Sequence, residues 1–243
     1  MVVQISHCLG KAEHVVDAFL KCTNALHNIL YSLNYYLEKF YTVNTIRNRV
    51  ETDMADNLSW ETVSESVIFK TRIMDVCEKS CLSPEKETRQ FITLKSRSWV
   101  MIIPEIEIDG RVHFLMVKQW RHGSESLSVE FPGGIIDPCE TPEEAARREL
   151  VEETGYEPQQ LQYLTAFSPN PAIMENRQYV FTAKCSPRAA HGLDLDEDEF
   201  LNVSIEPRDE VIKKYGTPPY DHALHAAGLF YYLKGRSLFT PKI

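Results

Sequence analysis

Residues 141–155 hold the densest set of local folding signals in the chain. Thr141 suits an N-cap, Pro142 the first helical position and Glu144 the third, which together make a capping box. Gly155 suits the position just past the last turn. These signals predict a helix over 142–154. On it Glu149, Glu152 and Glu153 stand at i, i+3 and i+4 and so share one face, and Arg148, four residues before Glu152, can orient that carboxylate. Ala145, Ala146 and Leu150 can pack the opposite side inward. Three carboxylates on one face of an isolated helix repel one another. A solvated acidic face is the ordinary explanation of such a pattern. Gly133 and Gly134, just upstream, favour another, because glycines let backbone approach a metal or phosphate closely. Converging hard oxygen ligands suit Mg²⁺ or Mn²⁺.

Around this helix the pattern is that of short strands. Runs at 66–76, 91–94, 98–108, 112–119, 160–167, 177–184 and 200–206 read as strands, with Asp109-Gly110 as a hairpin turn and 131–140 as a Gly/Pro loop. Two further helices are predicted at 207–215 and 221–234, separated by Thr217-Pro218-Pro219. Strands mixed with a few helices imply a compact α/β sandwich.

Residues 1–53 differ. Val15, Phe19, Leu26, Leu30, Leu33, Leu37 and Phe40 recur at helical steps, predicting an amphipathic helix over 13–41. It can pack on its own domain or dock a partner or membrane surface; a third reading has translation begin at Met54.

Read as a string, the chain runs Gly134, five residues, Glu140, seven residues, then Arg148-Glu149-Leu150-Val151-Glu152-Glu153-Thr154-Gly155-Tyr156. This resembles the catalytic box of the Nudix hydrolases at every fixed position. The resemblance implies a Nudix-type α/β/α sandwich with a mixed sheet. It divides the chain into a helical extension (1–53), an N-terminal β-rich segment (54–97) and a hydrolase domain (98–243). It also implies metal-dependent cleavage of a nucleoside-linked diphosphate. Glu149 and Glu153 would be the main ligands of Mg²⁺ (or Mn²⁺), with Glu152 shared and the Gly133 carbonyl a backbone ligand.

Outside the box, Val117-Lys118-Gln119-Trp120-Arg121, Glu130-Phe131-Pro132-Gly133-Gly134 and Ser168-Pro169-Asn170-Pro171 are similar to segments of the ADP-ribose and ADP-sugar pyrophosphatase branch. That likeness implies phosphate contacts from Arg121, a ribose contact from Glu130 and a substrate-side glutamate at Glu175. The acidic loop 196–199 would supply the general base, Glu197 with Glu199 second. Trp60, Phe69 or Trp99 can stack on a base. A homodimer with exchanged N-terminal strands is common in the branch. The departures, Ala172-Ile173-Met174-Glu175 after the bulky Pro171, bear on substrate identity more than on reaction type.

The formal net charge of −9 speaks against general nucleic-acid binding. Six scattered cysteines complete no zinc spacing and read as free thiols of a reducing compartment, with the cytoplasm as the expected location. No apolar run is long enough to span a bilayer. GDP-mannose, FAD and dinucleoside polyphosphates are alternative substrates. NADH is less favoured, because the motif for it is missing. A non-catalytic ADP-ribose sensor of the same fold would usually have lost box glutamates, and this chain keeps them all. Neither a Gly-x-Ser-x-Gly elbow nor a phosphate-binding Gly-x-x-x-x-Gly-Lys loop occurs.

Overall fold

The computed structural model describes residues 58–195 and 200–236. The predicted helix over 13–41 and the acidic residues 196–199 lie outside them. The described residues divide into two compact units, 58–62 with 81–89, and 63–80 with 90–195 and 200–236. In the first, Ser83 closes a short turn: its amide donates to the Glu87 carbonyl at 2.8 Å, and its hydroxyl accepts the Glu87 N–H at 3.0 Å.

The chain carries strands β1 (Glu61–Lys70), β2 (Asp75–Leu82), β3 (Thr88–Lys95), β4 (Trp99–Ile108), β5 (Arg111–Arg121), β6 (Ser126–Glu130), β7 (Pro158–Phe167), β8 (Gln178–Cys185) and β9 (Leu201–Pro207). Its helices are α1 (Pro142–Thr154), α2 (Arg208–Lys214) and α3 (Ala223–Gly235). β1, β2 and β3 form a three-stranded sheet in that order; the others form a six-stranded sheet along the path β6-β5-β4-β8-β7, with β9 on β5. β4 and β8 run parallel and the remaining pairs of this sheet antiparallel, so the sheet is mixed.

Alternation along the strands makes two cores. Val100, Ile102 and Ile106 of β4 face one side and pack with Ala145, Ala146 and Leu150 of α1; Met101 and Ile103 face the other and pack with Val211 of α2 and Leu229 and Tyr232 of α3. Helices on both faces of a mixed sheet make the expected α/β/α sandwich. Among the described residues no helix is long and apolar enough to cross a membrane, and Cys77, Cys81, Cys139 and Cys185 are free thiols.

Pairing on β5 positions the Gly/Pro loop. His113 and Phe114 pair with both β4 and β9, while Val117, Lys118 and Gln119 pair with both β6 and β9. A strand has two hydrogen-bonding edges. β9 therefore holds one edge throughout, and β4 and β6 share the other in succession. The first half of β4 diverges from β5, and the chain leaving β6 takes its place: the amides of Val100 and Ile102 donate to the carbonyls of Gly134 and Pro132, both at 2.9 Å.

The strand expectations differ from the structure in two places. The run 66–76 is two strands joined by a turn, in which the Thr71 hydroxyl accepts the amides of Ile73 and Met74 at 3.3 and 3.0 Å. Apolar Ile73 and Met74 hide that turn from a hydrophobicity pattern. β6 was not foreseen, because its buried residues include Ser128 and Glu130, the reverse of an apolar stripe.

Candidate functional site

The capping box of α1 forms as its sequence dictates. The Thr141 hydroxyl accepts the Glu144 amide at 3.3 Å, the Glu144 carboxylate accepts the Thr141 amide at 2.8 Å, and Gly155 sits in the left-handed region at φ 73°. The helix is thereby fixed at both ends, with its acidic face beside the Gly/Pro loop.

That loop and face are fitted to each other. The Gly133 N–H donates to Glu153 Oε2 at 2.8 Å, and Glu153 is buried at 3% exposure. A Cβ on Gly134 would fall 2.3 Å from Glu149 Oε1, and one on Gly133 would fall 2.2 Å from the Val100 carbonyl oxygen, so neither position admits a side chain without displacement. Gly133 is flanked by Pro132 and Gly134, whose carbonyls accept from Ile102 and Val100 of β4.

Arg148 binds the acidic face together. Its Nε and Nη2 donate to the two oxygens of Glu140 at 2.9 and 3.0 Å, Nη1 donates to Glu149 and Glu152 at 2.9 Å each, and Nη2 also reaches the Ile135 carbonyl at 3.0 Å. The clasp of Glu140 by Arg148 holds the Glu140 carboxyl below its ordinary range. One guanidinium serves the three carboxylates of Glu140, Glu149 and Glu152, so the face keeps an excess of negative charge.

A second cluster lies at the end of β6. The Glu130 side chain is fully buried; Arg121 Nε donates to Oε1 at 2.8 Å and Nη2 to Oε2 at 2.5 Å, and His225 Nε2 lies 3.2 Å from Oε2. Burial would push the Glu130 carboxyl up, but hydrogen bonds from Arg121 and His225 outweigh it and hold the carboxyl far below the ordinary range. A folded-state value below the unfolded one stabilises the fold above the unfolded value, and that stabilisation is lost on acidification. Glu130→Gln is expected to lower stability at neutral pH by about 3–5 kcal/mol, since one partner of a buried pair is removed. Wild type and variant should converge as the pH falls below about 4.5, by up to about 1.4 kcal/mol per pH unit. Denaturant melts across pH check this, and parallel curves would refute it.

A cavity of about 380 Å³ opens beside the loop, lined in part by Trp99, Arg121, Gly133, Gly134, Gln178 and His222. Of the residues singled out from sequence, Glu153 meets Gly133, Glu149 and Glu152 share Arg148, and Arg121 lines the same cavity as Gly133. Glu175 is elsewhere: it pairs with Lys79 at 2.7 Å and accepts from Thr93 at 3.1 Å, in an ion network that continues to Glu65 and Lys95. Trp99 lines the cavity, whereas Trp60 and Phe69 are exposed. Sequence reading passed over His222 and His225; their i, i+3 spacing at a helix start was the available signal.

The NUDIX domain family matches residues 97–227. The ADP-ribose pyrophosphatase of Bacillus subtilis (strain 168) is 30% identical over 157 residues, which is 65% of this chain and 83% of that one. The ADP compounds hydrolase of Escherichia coli (strain K12) is 27% identical over 183 residues, covering 74% of this chain and 93% of its own. A crystal structure of an ADP compounds hydrolase superposes with a TM-score of 0.62 at 25% identity, over 74% of this chain and 97% of that one.

Proposed function

This chain belongs to the NUDIX-domain family, and from that membership we propose that it hydrolyses ADP-ribose or an ADP-sugar to AMP and a sugar phosphate in the presence of Mg²⁺ or Mn²⁺. The observation that carries the reading is the meeting of Glu153 with Gly133 and of Glu149 with Gly134, two glycines that line one cavity, with Glu152 tied to Glu149 through Arg148. The relatives named above act on ADP compounds by their descriptions, which supports the adenine nucleotide class.

The donor set fits a hard divalent cation: it is all carboxylate and carbonyl oxygen, and its negative charge exceeds what Arg148 supplies. Glu149 and Glu153 would hold the ion, with Glu152 shared and the Gly133 carbonyl completing the set. When bound, the ion would neutralise the diphosphate and stabilise charge developing at phosphorus. Arg121, lining the cavity and anchored by Glu130, is assigned to the substrate's phosphate oxygens, for which a guanidinium is suited. We assign Glu130 to holding Arg121 in place instead of the ribose contact implied by resemblance, because its carboxylate is fully buried and engaged on both oxygens. Glu175 is likewise assigned to its ion network.

The reaction adds water across the anhydride: an oxygen–phosphorus bond forms, the bridging P–O bond breaks, and the water's proton goes to a base. Glu197, with Glu199 second, is proposed as that base. Glu197→Gln should lower kcat by about 10²–10⁴-fold with KM little changed, as for a group acting in the chemical step; a normal kcat would move the role to Glu199. The overall reading is tested with a panel of nucleoside diphosphate compounds and Mg²⁺ or Mn²⁺, with products identified by mass spectrometry. AMP from ADP-ribose or an ADP-sugar is expected, and turnover of only guanine- or flavin-bearing compounds would overturn the substrate class.

A further inference from the structure

The cluster Glu130, His222 and His225 brings three potential ligand atoms within 4.8 Å of one another, which at first suggests a cation site. The hydrogen bonds argue otherwise. A backbone N–H can only donate. The Phe131 amide donates to His225 Nδ1 at 3.2 Å, and the Leu224 amide donates to His222 Nδ1 at 3.3 Å. Both rings therefore carry their proton on Nε2, the nitrogen a metal would need bare. His225 spends that proton on Glu130, whose other oxygen is taken by Arg121. The cluster presents donors, not ligands.

His225 and His222 both line the 380 Å³ cavity together with Gly133 and Gly134; His225 has its Nε2 on Glu130, which leaves His222 as the histidine to meet a ligand. Its ring is fixed twice over. It caps α3 through Nδ1, and it packs edge-on against His225 with centroids 4.6 Å apart and planes at 81°. Burial, and then the neighbouring His225, push its pKa below the ordinary histidine value, which favours the neutral donor form. Beyond Arg121 and Ser96, the rest of the cavity wall is largely apolar, with Ile73, Met74, Trp99, Val100, Ile135 and Leu224. Gln178, nearly buried at 5% exposure, adds an amide. An apolar slot with a few oriented donors at its edge suits a flat heteroaromatic ring better than a sugar, whose hydroxyls need partners on every side.

We propose that this cavity takes the nucleobase of the substrate and that His222 reads it, donating Nε2–H to an acceptor on the base edge. The proposal rests on the hydrolase reading above but is measured apart from turnover. AMP, GMP, CMP and UMP are titrated into metal-free, full-length protein by calorimetry, alongside the hydrolysis panel. Wild type should prefer one nucleotide by about tenfold, the scale of one buried hydrogen bond left unmade on the wrong base. His222→Ala and His222→Asn should both bring the four affinities within about twofold of one another. Asparagine is a good N-cap, so His222→Asn keeps the start of α3 and should melt like wild type. It decides the question if His222→Ala fails to fold. A purely structural role would leave base preference intact in His222→Asn.

Equal binding of all four nucleotides by wild type, or preference retained in His222→Asn, overturns the proposal. Stoichiometric binding of Zn²⁺ that both histidines are needed for overturns the donor assignment. If the panel shows no hydrolysis while base preference holds and depends on His222, the hydrolase reading falls alone. If hydrolysis is seen and preference is indifferent to His222, this inference falls alone.

Discussion

Replacing Glu153 by glutamine is expected to lower kcat by about 10²–10³-fold, the scale found when one charge-stabilising group is taken from a transition state. The side chain is almost completely buried and accepts the Gly133 N–H at 2.8 Å. Glutamine is nearly isosteric and keeps one oxygen for that bond, so packing is retained. What goes is the negative charge and one ligand oxygen at the place where loop and helix meet. Removing a charge from a buried position also lowers its burial cost, which offsets the weakened hydrogen bond. The melting temperature should therefore move by only a few degrees, consistent with about 1 kcal/mol or less in a domain of this size. Rates at saturating Mg²⁺ and calorimetric melts check the two halves. A variant that folds and turns over normally would show that Glu153 is not a metal ligand.

The parts of this site that could be read from sequence are those whose causes are local. Thr141, Pro142, Glu144 and Gly155 set the bounds of α1 within a single stretch of chain, and the i, i+3, i+4 spacing of the glutamates then fixes their shared face. The strand at 98–108 was legible as an apolar run, but that run is continuous, and only the fold shows that Val100 and Met101 join cores on opposite sides. What escaped depends on distant partners. Ser128-Val129-Glu130 does not look like a buried strand end, because Glu130 is tolerated there through Arg121 across the hairpin and His225 on the C-terminal helix. No pattern near Glu130 announces either partner. Glu175 was assigned by matching a motif whose register is loose at Ala172-Ile173-Met174. In the structure the segment bonds to β3, with the Glu175 amide on the Leu94 carbonyl at 3.2 Å and the Glu175 side chain on Lys79. The role of Arg148 was half visible. Its reach to Glu152 follows from helical spacing, but its hold on Glu140 and the Ile135 carbonyl depends on how the loop folds back.

That fuller role makes Arg148→Lys the second large effect. Five hydrogen bonds leave three nitrogens lying in one plane, to Glu140 twice, to Glu149, to Glu152 and to the Ile135 carbonyl. A lysine keeps the positive charge but gathers its donors on a single nitrogen at the end of a flexible stem, so it cannot span Glu140 and Glu152 together. Charge balance would be preserved and geometry lost. The concentration of Mg²⁺ giving half-maximal rate is therefore expected to rise by about 10–100-fold, the range seen when groups that orient metal ligands are removed. At saturating Mg²⁺ the rate should recover most of its wild-type value, because the ligands themselves remain. This separates the variant from Glu153→Gln, whose deficit persists at any metal concentration. Release of the loop from Arg148 should also make residues 135–140 exchange their amide hydrogens faster. If the Mg²⁺ dependence of Arg148→Lys matches wild type, charge alone suffices at this position and the planar clasp has no part in organising the carboxylates.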